Sequence, residues 1–334
     1  MKKLITLITC GLSLGLAAEP KVQFVDQLKS GKAQTIVTYG TSLTAVGAWV
    51  GQLDQVLQQQ FGEKAKLVNG AQGGANSAWG VKSLEQKVLK HKPDAVFIEF
   101  AINDAVSRRR TSVDDARGNL ENIITRVLEQ NPQCEIILMT MNVPVGHTGV
   151  QRPNIDAYYQ MYRDVAQGRG YLLIDHNKNW KKLLAENPGK YLQHMPDAIH
   201  PVYAAALDVI TPHMIEVLGL KPGNPEHSKE APCWRYMFGS MDKLIKKDRR
   251  VSLGEYQHFW AKHFAMQDAN EDGLIQANEY PEQGIFNHLD ANQDKSVTVE
   301  EYQLAYANHF DQFSDQGSIN LKTVKMHKLK SKEK

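Results

Sequence analysis

Cysteine is scarce, with three residues in 334: Cys10, Cys134 and Cys233. So few thiols cannot frame a fold, and a disulfide scaffold is excluded. An excess of one charge is missing too. Lys and Arg number 39 against 37 Asp and Glu, a formal charge of +2. That balance leaves no electrostatic footprint for nucleic acid, and no such partner is expected. No apolar run reaches the ~18–20 residues that cross a bilayer, so no stable membrane insertion is expected either. What remains is ordinary globular material, 42% hydrophobic and 23% charged, with length for roughly two domains. A core of that size closes without staples. Cys134 opens an apolar strand-like run and suits a buried free thiol; a bridge to Cys233 is the alternative in an oxidising compartment.

The start of the chain is built like a secretory leader. Met1-Lys2-Lys3 is basic, Leu4 to Leu16 is apolar, and Ala17-Ala18 is a small-residue cleavage site. These are the three parts of a signal peptide. Cleavage is expected near Ala18, giving a leader over 1–18 and a secreted or periplasmic product. Cys10 alone does not make a lipoprotein signal, because the apolar stretch before it is short and Thr9 is a poor neighbour.

Composition divides the rest. Between about Thr35 and Leu218, β-branched apolar runs alternate with helical patterns. The runs are Thr35–Tyr39, Ala65–Val68, Ala95–Phe100, Glu135–Thr140 and Tyr171–Ile174. Between them Trp49, Leu53, Val56, Leu57 and Phe61 recur at three- and four-residue steps, as do Leu120, Ile123, Ile124, Val127 and Leu128. Near-continuous apolar strands separated by amphipathic helices imply a parallel sheet covered on both faces. Chemistry in such sheets sits at the carboxyl ends of the strands. A domain over 19–220 is followed by a Pro- and Gly-rich linker over 221–234. A second domain spans 235–315. A basic tail, 316–334, carries Lys322, Lys325, Lys328, Lys330, Lys332 and Lys334 and reads as a solvated end.

Four short motifs fall where that rule requires. Tyr39-Gly40-Thr41-Ser42-Leu43 follows the first strand, and a Ser at a strand-to-helix turn exposes its hydroxyl beside backbone N–H groups. Asn69 to Ser77, with Gly70, Gly73 and Gly74, follows Ala65–Val68 and lets backbone approach a ligand. Ala101-Ile102-Asn103-Asp104 follows Ala95–Phe100, with an uncharged amide able to donate to a developing oxyanion. Asp197 and His200 stand three apart before the last helix of this domain, where a carboxylate can orient an imidazole. Taken singly, each has an ordinary explanation as a cap, a turn or a surface pair. Together and in this order, over about residues 33–218, they resemble the SGNH (GDSL-type) esterase and lipase superfamily.

The resemblance implies a three-layer, flavodoxin-like α/β fold and a serine carboxylic-ester hydrolase. It carries Ser42 over as nucleophile. Gly74 and Asn103 become oxyanion donors beside the Ser42 N–H, and His200 with Asp197 the base and its orienter. Gly74 is chosen over Gly73 because the family Gly lies five residues after the block's Asn, here Asn69. Two positions depart from the pattern: Thr41 stands where the family has Asp before the Ser, and Ala101 where it has Gly before the Asn. No metal is required by the chemistry. The expected substrate is a small ester, most simply an acetyl ester on extracellular carbohydrate; a lipid-directed esterase or lysophospholipase, or an inactive calcium-dependent binding protein, is the alternative. Trp49 and Trp79 lie near the site loops and could face sugar rings or pack in the core. Arg108-Arg109-Arg110 could meet an acidic polysaccharide or simply be solvated.

The second domain carries two acidic loops. Asp268, Asn270, Asp272, Leu274, Gln276 and Glu279 occupy the ligand positions of a twelve-residue EF-hand loop, with Gly273 at the sharp turn. Asp290, Asn292, Asp294, Ser296, Thr298 and Glu301 repeat the pattern, with Lys295 in place of the Gly. Structural Ca2+ is therefore the expected cofactor, in a small all-α EF-hand domain. Ile275 and Val297 should pair between the loops. Phe264 and Phe286 should anchor the helices leading into them, and Tyr256, Phe259, Trp260 and Phe264 form a core stripe. Upstream, Asp248 to Tyr256 looks like the second half of a third, vestigial hand, whose opening ligand positions would be Leu244 and Lys246.

Overall fold

The computed structural model describes residues 22–195, 197–225, 238–314 and 316–320. The leader 1–18, Cys10, Cys233, much of the expected linker and residues 321–334 of the expected tail lie outside the described residues. Five strands come first: β1 (Gln34–Gly40), β2 (Ala65–Asn69), β3 (Ala95–Glu99), β4 (Glu135–Thr140) and β5 (Leu172–Asp175). Every neighbouring pair is parallel, in the order β2-β1-β3-β4-β5. The central strands are apolar on both sides because both sides are covered, and Ile36, Val37, Val96, Ile98, Ile137 and Leu138 are all buried. β2 lies at an edge and is largely half-exposed, which is why its apolar run is interrupted by Lys66.

The crossovers explain the helix layers. Right-handed connections put a helix on one face when the chain moves one way along the sheet and on the other face when it moves back. Ala48–Phe61 joins β1 to β2 in one direction. Ser77–Lys87, Val113–Gln130 and Ile155–Arg169 belong to connections running the other way, and these three pack on one another in a row. Val113–Gln130 starts at a capping box made by Ser112 and Asp115, which satisfies two of the N–H groups a helix start leaves unpaired. Strand order reverses between β1 and β3, so the ligand crevice belongs beyond their carboxyl ends.

The second unit is not purely helical. β6 (Arg250–Ser252) pairs antiparallel with β9 (Ser318–Asn320), and β7 (Ile275–Gln276) with β8 (Ser296–Val297). Ile275 faces Val297 and Val251 faces Ile319 in these ribbons. Between them run the helices Leu253–Ala265, Gln283–Leu289 and Val299–Phe313. Aromatic packing fills the centre: Trp260 stacks on Tyr306 with ring centroids 3.8 Å apart, and Phe264 meets Tyr302 edge-on. Phe264 and Phe286 are buried. This unit packs on the first through Gln283–Leu289 against Pro188–His194, and one continuous buried core runs through both.

Candidate active site

Ser42 is the first residue of a single helical turn, Ser42–Ala45, directly after β1. Thr41 caps that turn, its Oγ1 accepting from the Leu43 N–H at 3.2 Å. The cap rests on a buried carboxylate from the neighbouring strand. Glu99 Oε1 accepts from the Thr41 N–H at 2.6 Å and from the Thr44 hydroxyl at 2.7 Å, and the Thr41 hydroxyl donates to the same carboxyl group. Burial pushes Glu99 up to about 7, against the hydrogen bonds from Thr44 and Thr41 that favour its charged form. Thr41 thus replaces an acidic residue in sequence, while Glu99 supplies one in space. The sequence signal for Glu99 was a lone carboxylate closing an otherwise apolar strand.

Asp197 and His200 reach Ser42 from the far end of the domain. Ser42 Oγ lies 2.8 Å from His200 Nε2, and His200 Nδ1 lies 2.6 Å from Asp197 Oδ2. The other Asp197 oxygen accepts from the backbone N–H of His200 at 2.7 Å and of Ile199 at 3.2 Å. The short turn that allows this puts Ala198 at φ 67°, a left-handed conformation that costs a non-glycine residue about 1 kcal/mol. Burial alone would raise Asp197, yet the facing His200 and the two backbone donors hold it below its ordinary value. For His200 burial works downward, but the charge and hydrogen bond of Asp197 win and raise it. Nδ1–H therefore donates to Asp197, leaving Nε2 to accept the Ser42 proton.

The two remaining loops are tied to each other. Asn103 is buried after β3 and donates Nδ2–H to the Ala75 carbonyl at 2.7 Å. An amide nitrogen has two hydrogens, so the second stays available for a substrate oxygen. Gly74 lies exposed on the same loop, and Arg109 Nη2 donates to its carbonyl at 2.6 Å. Arg109 is therefore a tether between the Gly74 and Asn103 loops. Asp104 accepts from both the backbone and the hydroxyl of Ser77 at 2.9 Å, and burial lifts it to about 6. Arg152, also buried, donates to the carbonyls of Ile102 and Thr148. Neither Arg109 nor Arg152 sits in a recognisable motif; each is defined by a partner far away in sequence.

Beside Ser42 and His200 is a small apolar recess lined by Leu43, Val46, Ala48, Trp49 and Pro201, enclosing about 10 Å³. Trp49 contributes from inside the core. It is 1% exposed and donates Nε1–H to the Leu43 carbonyl at 2.9 Å, so it offers no ring face to a sugar. Trp79 is half-buried and packs on Tyr39 and Phe100. Cys134 is a buried free thiol that burial pushes up to about 12.

The acidic loops of the second unit share one hydrogen-bond plan. Asp268 accepts from the N–H groups of Asp272 and Gly273, and Glu279 from those of Ala269, Asn270 and Gln276. Asp290 and Glu301 do the same for Asp294, Lys295, Ala291, Asn292 and Thr298. Gly273 and Lys295 both adopt positive φ, 84° and 73°. Among the described residues no three His, Cys, Asp or Glu side chains converge as a metal cluster. What gathers instead is a mixed set of oxygens, and amide N–H groups already lean on its carboxylates: Asn270 and Gln276 donate to Asp272, and Asn292 to Asp294. Hard oxygen donors around electropositive groups fit a calcium-sized cation.

The upstream loop follows the same plan with two more residues. Asp242 Oδ1 accepts from Asp248 and Arg249 N–H, and Glu255 from Lys246 and Ser252 N–H. Arg249 takes the positive φ, 66°. Asp242 and Glu255 thus hold the ends of this loop, not the positions counted from Leu244 and Lys246. A twelve-residue template misses them because the loop is longer.

A hydroxyl, imidazole and carboxylate in one hydrogen-bonded line, at the switch point of a parallel sheet, define a serine hydrolase of flavodoxin-like architecture. Residues 37–205 match the GDSL-like Lipase/Acylhydrolase family, and the chain belongs to that family; it is a carboxylic-ester hydrolase. No curated protein matches the chain. Among solved structures it is similar to a catalytic mutant of Axe2, an acetylxylan esterase from Geobacillus stearothermophilus, with 21% identity, TM-score 0.50, and coverage of 57% of this chain and 96% of that one. A Parabacteroides merdae protein assigned to the GDSL-like lipases has 16% identity and TM-score 0.50, with 57% and 97% covered. These likenesses extend the fold to both relatives.

Proposed function

We propose that this ester hydrolase is secreted and removes short acyl groups, acetyl above all, from extracellular carbohydrate, with calcium as a structural ion in loops 268–279 and 290–301. The observation that carries the reading is the line from Ser42 through His200 to Asp197, at 2.8 and 2.6 Å. His200 accepts the Ser42 proton as the oxygen attacks the ester carbonyl, and Asp197 stabilises the imidazolium. The Asn103 amide and the N–H groups of Ser42 and Gly74 meet the oxyanion. His200 then gives the proton to the leaving alcohol. Water attacks the acyl-enzyme with His200 again as base, releasing acid and free serine.

The recess beside Ser42 supports a small acyl group. Its 10 Å³ is about the space of one water-sized group, which suits an acetyl methyl. An acetylxylan esterase shares the fold, and the same substrate class is proposed for this chain. Asp268, Asn270, Asp272, the Leu274 carbonyl, Gln276 and Glu279 would hold one calcium ion, and Asp290, Asn292, Asp294, Ser296, Thr298 and Glu301 a second, tying together the two ends of each loop. It takes no part in the chemical steps.

The test is hydrolysis of p-nitrophenyl acetate by wild type and Ser42→Ala. A loss of the order of 10⁴-fold or more is expected, and equal rates end the nucleophile assignment. Because His200 must be neutral to act and its value is raised, kcat/KM should climb with pH through a midpoint above the ordinary imidazole value of about 6.5. The octanoate ester should be at least about tenfold poorer than the acetate; a preference for octanoate would remove the acetyl reading.

A further inference from the structure

The turn that carries Asp197 and His200 does not stand alone. The segment after β4 holds it. Asn142 Nδ2 donates to the Ile199 carbonyl at 2.9 Å, and the Ala198 carbonyl accepts from the Val145 N–H at 3.1 Å and lies 2.8 Å from the Thr148 hydroxyl, whose single hydrogen it shares with the Val145 carbonyl at the same distance. Ala198 is the residue at positive φ, so these bonds fix the conformation that is least favoured locally. Without them the turn would relax, and the imidazole with it.

The same segment is gripped from its other side by the second unit. Glu282 Oε2 accepts from the Gly146 N–H at 3.1 Å. Glu282 stands at the N-cap of Gln283–Leu289 yet makes no side-chain bond to its own helix; the carboxylate is committed across the interface instead. Gly146 sits at φ 54°, and a side chain there would press into the Gln267 amide and the Tyr280 hydroxyl. His147 packs its ring on His263, with centroids 3.9 Å apart. The charged and titratable groups facing Asp197 and His200 are accordingly Arg152, His147 and His263, the last from the second unit, and burial lifts Glu282 itself to about 7, against its bond from the Gly146 N–H.

We infer that the second unit is part of the catalytic apparatus, and that Glu282 is a positioning residue that sets the Asp197–His200 pair through the 145–149 turn. The inference rests on the roles proposed above for Asp197 and His200. Glu282 touches neither substrate nor the reacting atoms. It anchors Gly146, Gly146 fixes Val145 and Thr148, and those two hold the Ala198 carbonyl.

The experiment compares Glu282→Ala, Glu282→Gln and Thr148→Val in the full chain, measuring kcat and KM on p-nitrophenyl acetate from pH 5 to 9, with Tm alongside. A misplaced base costs turnover more than binding, so Glu282→Ala should lose about tenfold in kcat with KM within about twofold. Its acid limb should move down toward the ordinary imidazole value as Asp197 loosens from His200. Glu282→Gln keeps an oxygen for the Gly146 N–H and should recover most of the loss. Thr148→Val cuts the same chain inside the first unit and should move the limb the same way, which keeps the test decisive if Glu282→Ala does not fold. An unmoved acid limb in whichever of Glu282→Ala and Thr148→Val is soluble, or a Tm loss with no change in kcat, overturns the inference. Failure of Ser42→Ala to lose activity would instead strike at the reading beneath it.

Discussion

The two halves of the chain use their carboxylates in opposite ways. In the first, Asp197 gives one oxygen to backbone and turns the other to an imidazole, which passes the contact on to Ser42. In the second, Asp268 and Asp290 spend both oxygens on N–H groups of their own loops. The first arrangement is complete once the chain has folded. The second is a ring of acceptors closed on the backbone of its own loop, and it is here that calcium is proposed. The lesson is that similar residues make a reactive site or a binding site according to whether their partners are other side chains or their own backbone.

The sharpest way to break the contrast is on the self-sufficient side. Asn103→Ala should lower kcat on p-nitrophenyl acetate by about 10²–10³ with little change in KM; a variant as fast as wild type would show that this amide does not meet the oxyanion. On the side completed from outside, EDTA should lower the Tm measured by calorimetry. Ion at a hundredfold excess over Kd is worth about 2.7 kcal/mol per site, which is several degrees in a unit of this size. Asp268→Ala combined with Asp290→Ala should melt low with or without EDTA. A wild-type Tm indifferent to chelation would end the calcium proposal. The smallest effect separates the two loops. Lys295 holds at φ 73° what Gly273 holds at 84°, a strain of about 1 kcal/mol for a side chain. Lys295→Gly should tighten calcium at loop 290–301 by about fivefold in a titration, and unchanged affinity would mean the loop carries no such strain.

Much of this was legible because it is local. All five strands lie within a residue or so of their apolar runs, since a strand buried on both faces has to be apolar nearly throughout. Three of the four catalytic blocks could be found because they sit just past a strand end; Asp197 and His200 follow the helix Pro188–His194 and are legible only by their spacing. Glu99, Arg109, Arg152 and Glu282 were not found that way. Each works by meeting a backbone group at least 35 positions away; a lone carboxylate ending an apolar strand marks Glu99 and a run of three arginines contains Arg109, but neither signal names the partner. Trp49 was open to two readings, a ring facing sugar or packing in the core, and the structure takes the second, with its indole committed to the Leu43 carbonyl. The upstream loop was counted two residues short because, twelve positions being counted back from Glu255, Asp242 is recognisable only by the bonds it accepts.

The pairing of β6 with β9 has a consequence for how the protein is made. Residue 251 finds its partner far along the chain, at 319, whereas the five-stranded sheet is assembled from neighbouring elements and can form sooner. Until Glu282 reaches Gly146, the ester-cleaving half has its three reacting groups but not that anchor. On this view the enzyme gains its last factor of about ten only once the second unit has folded against the first.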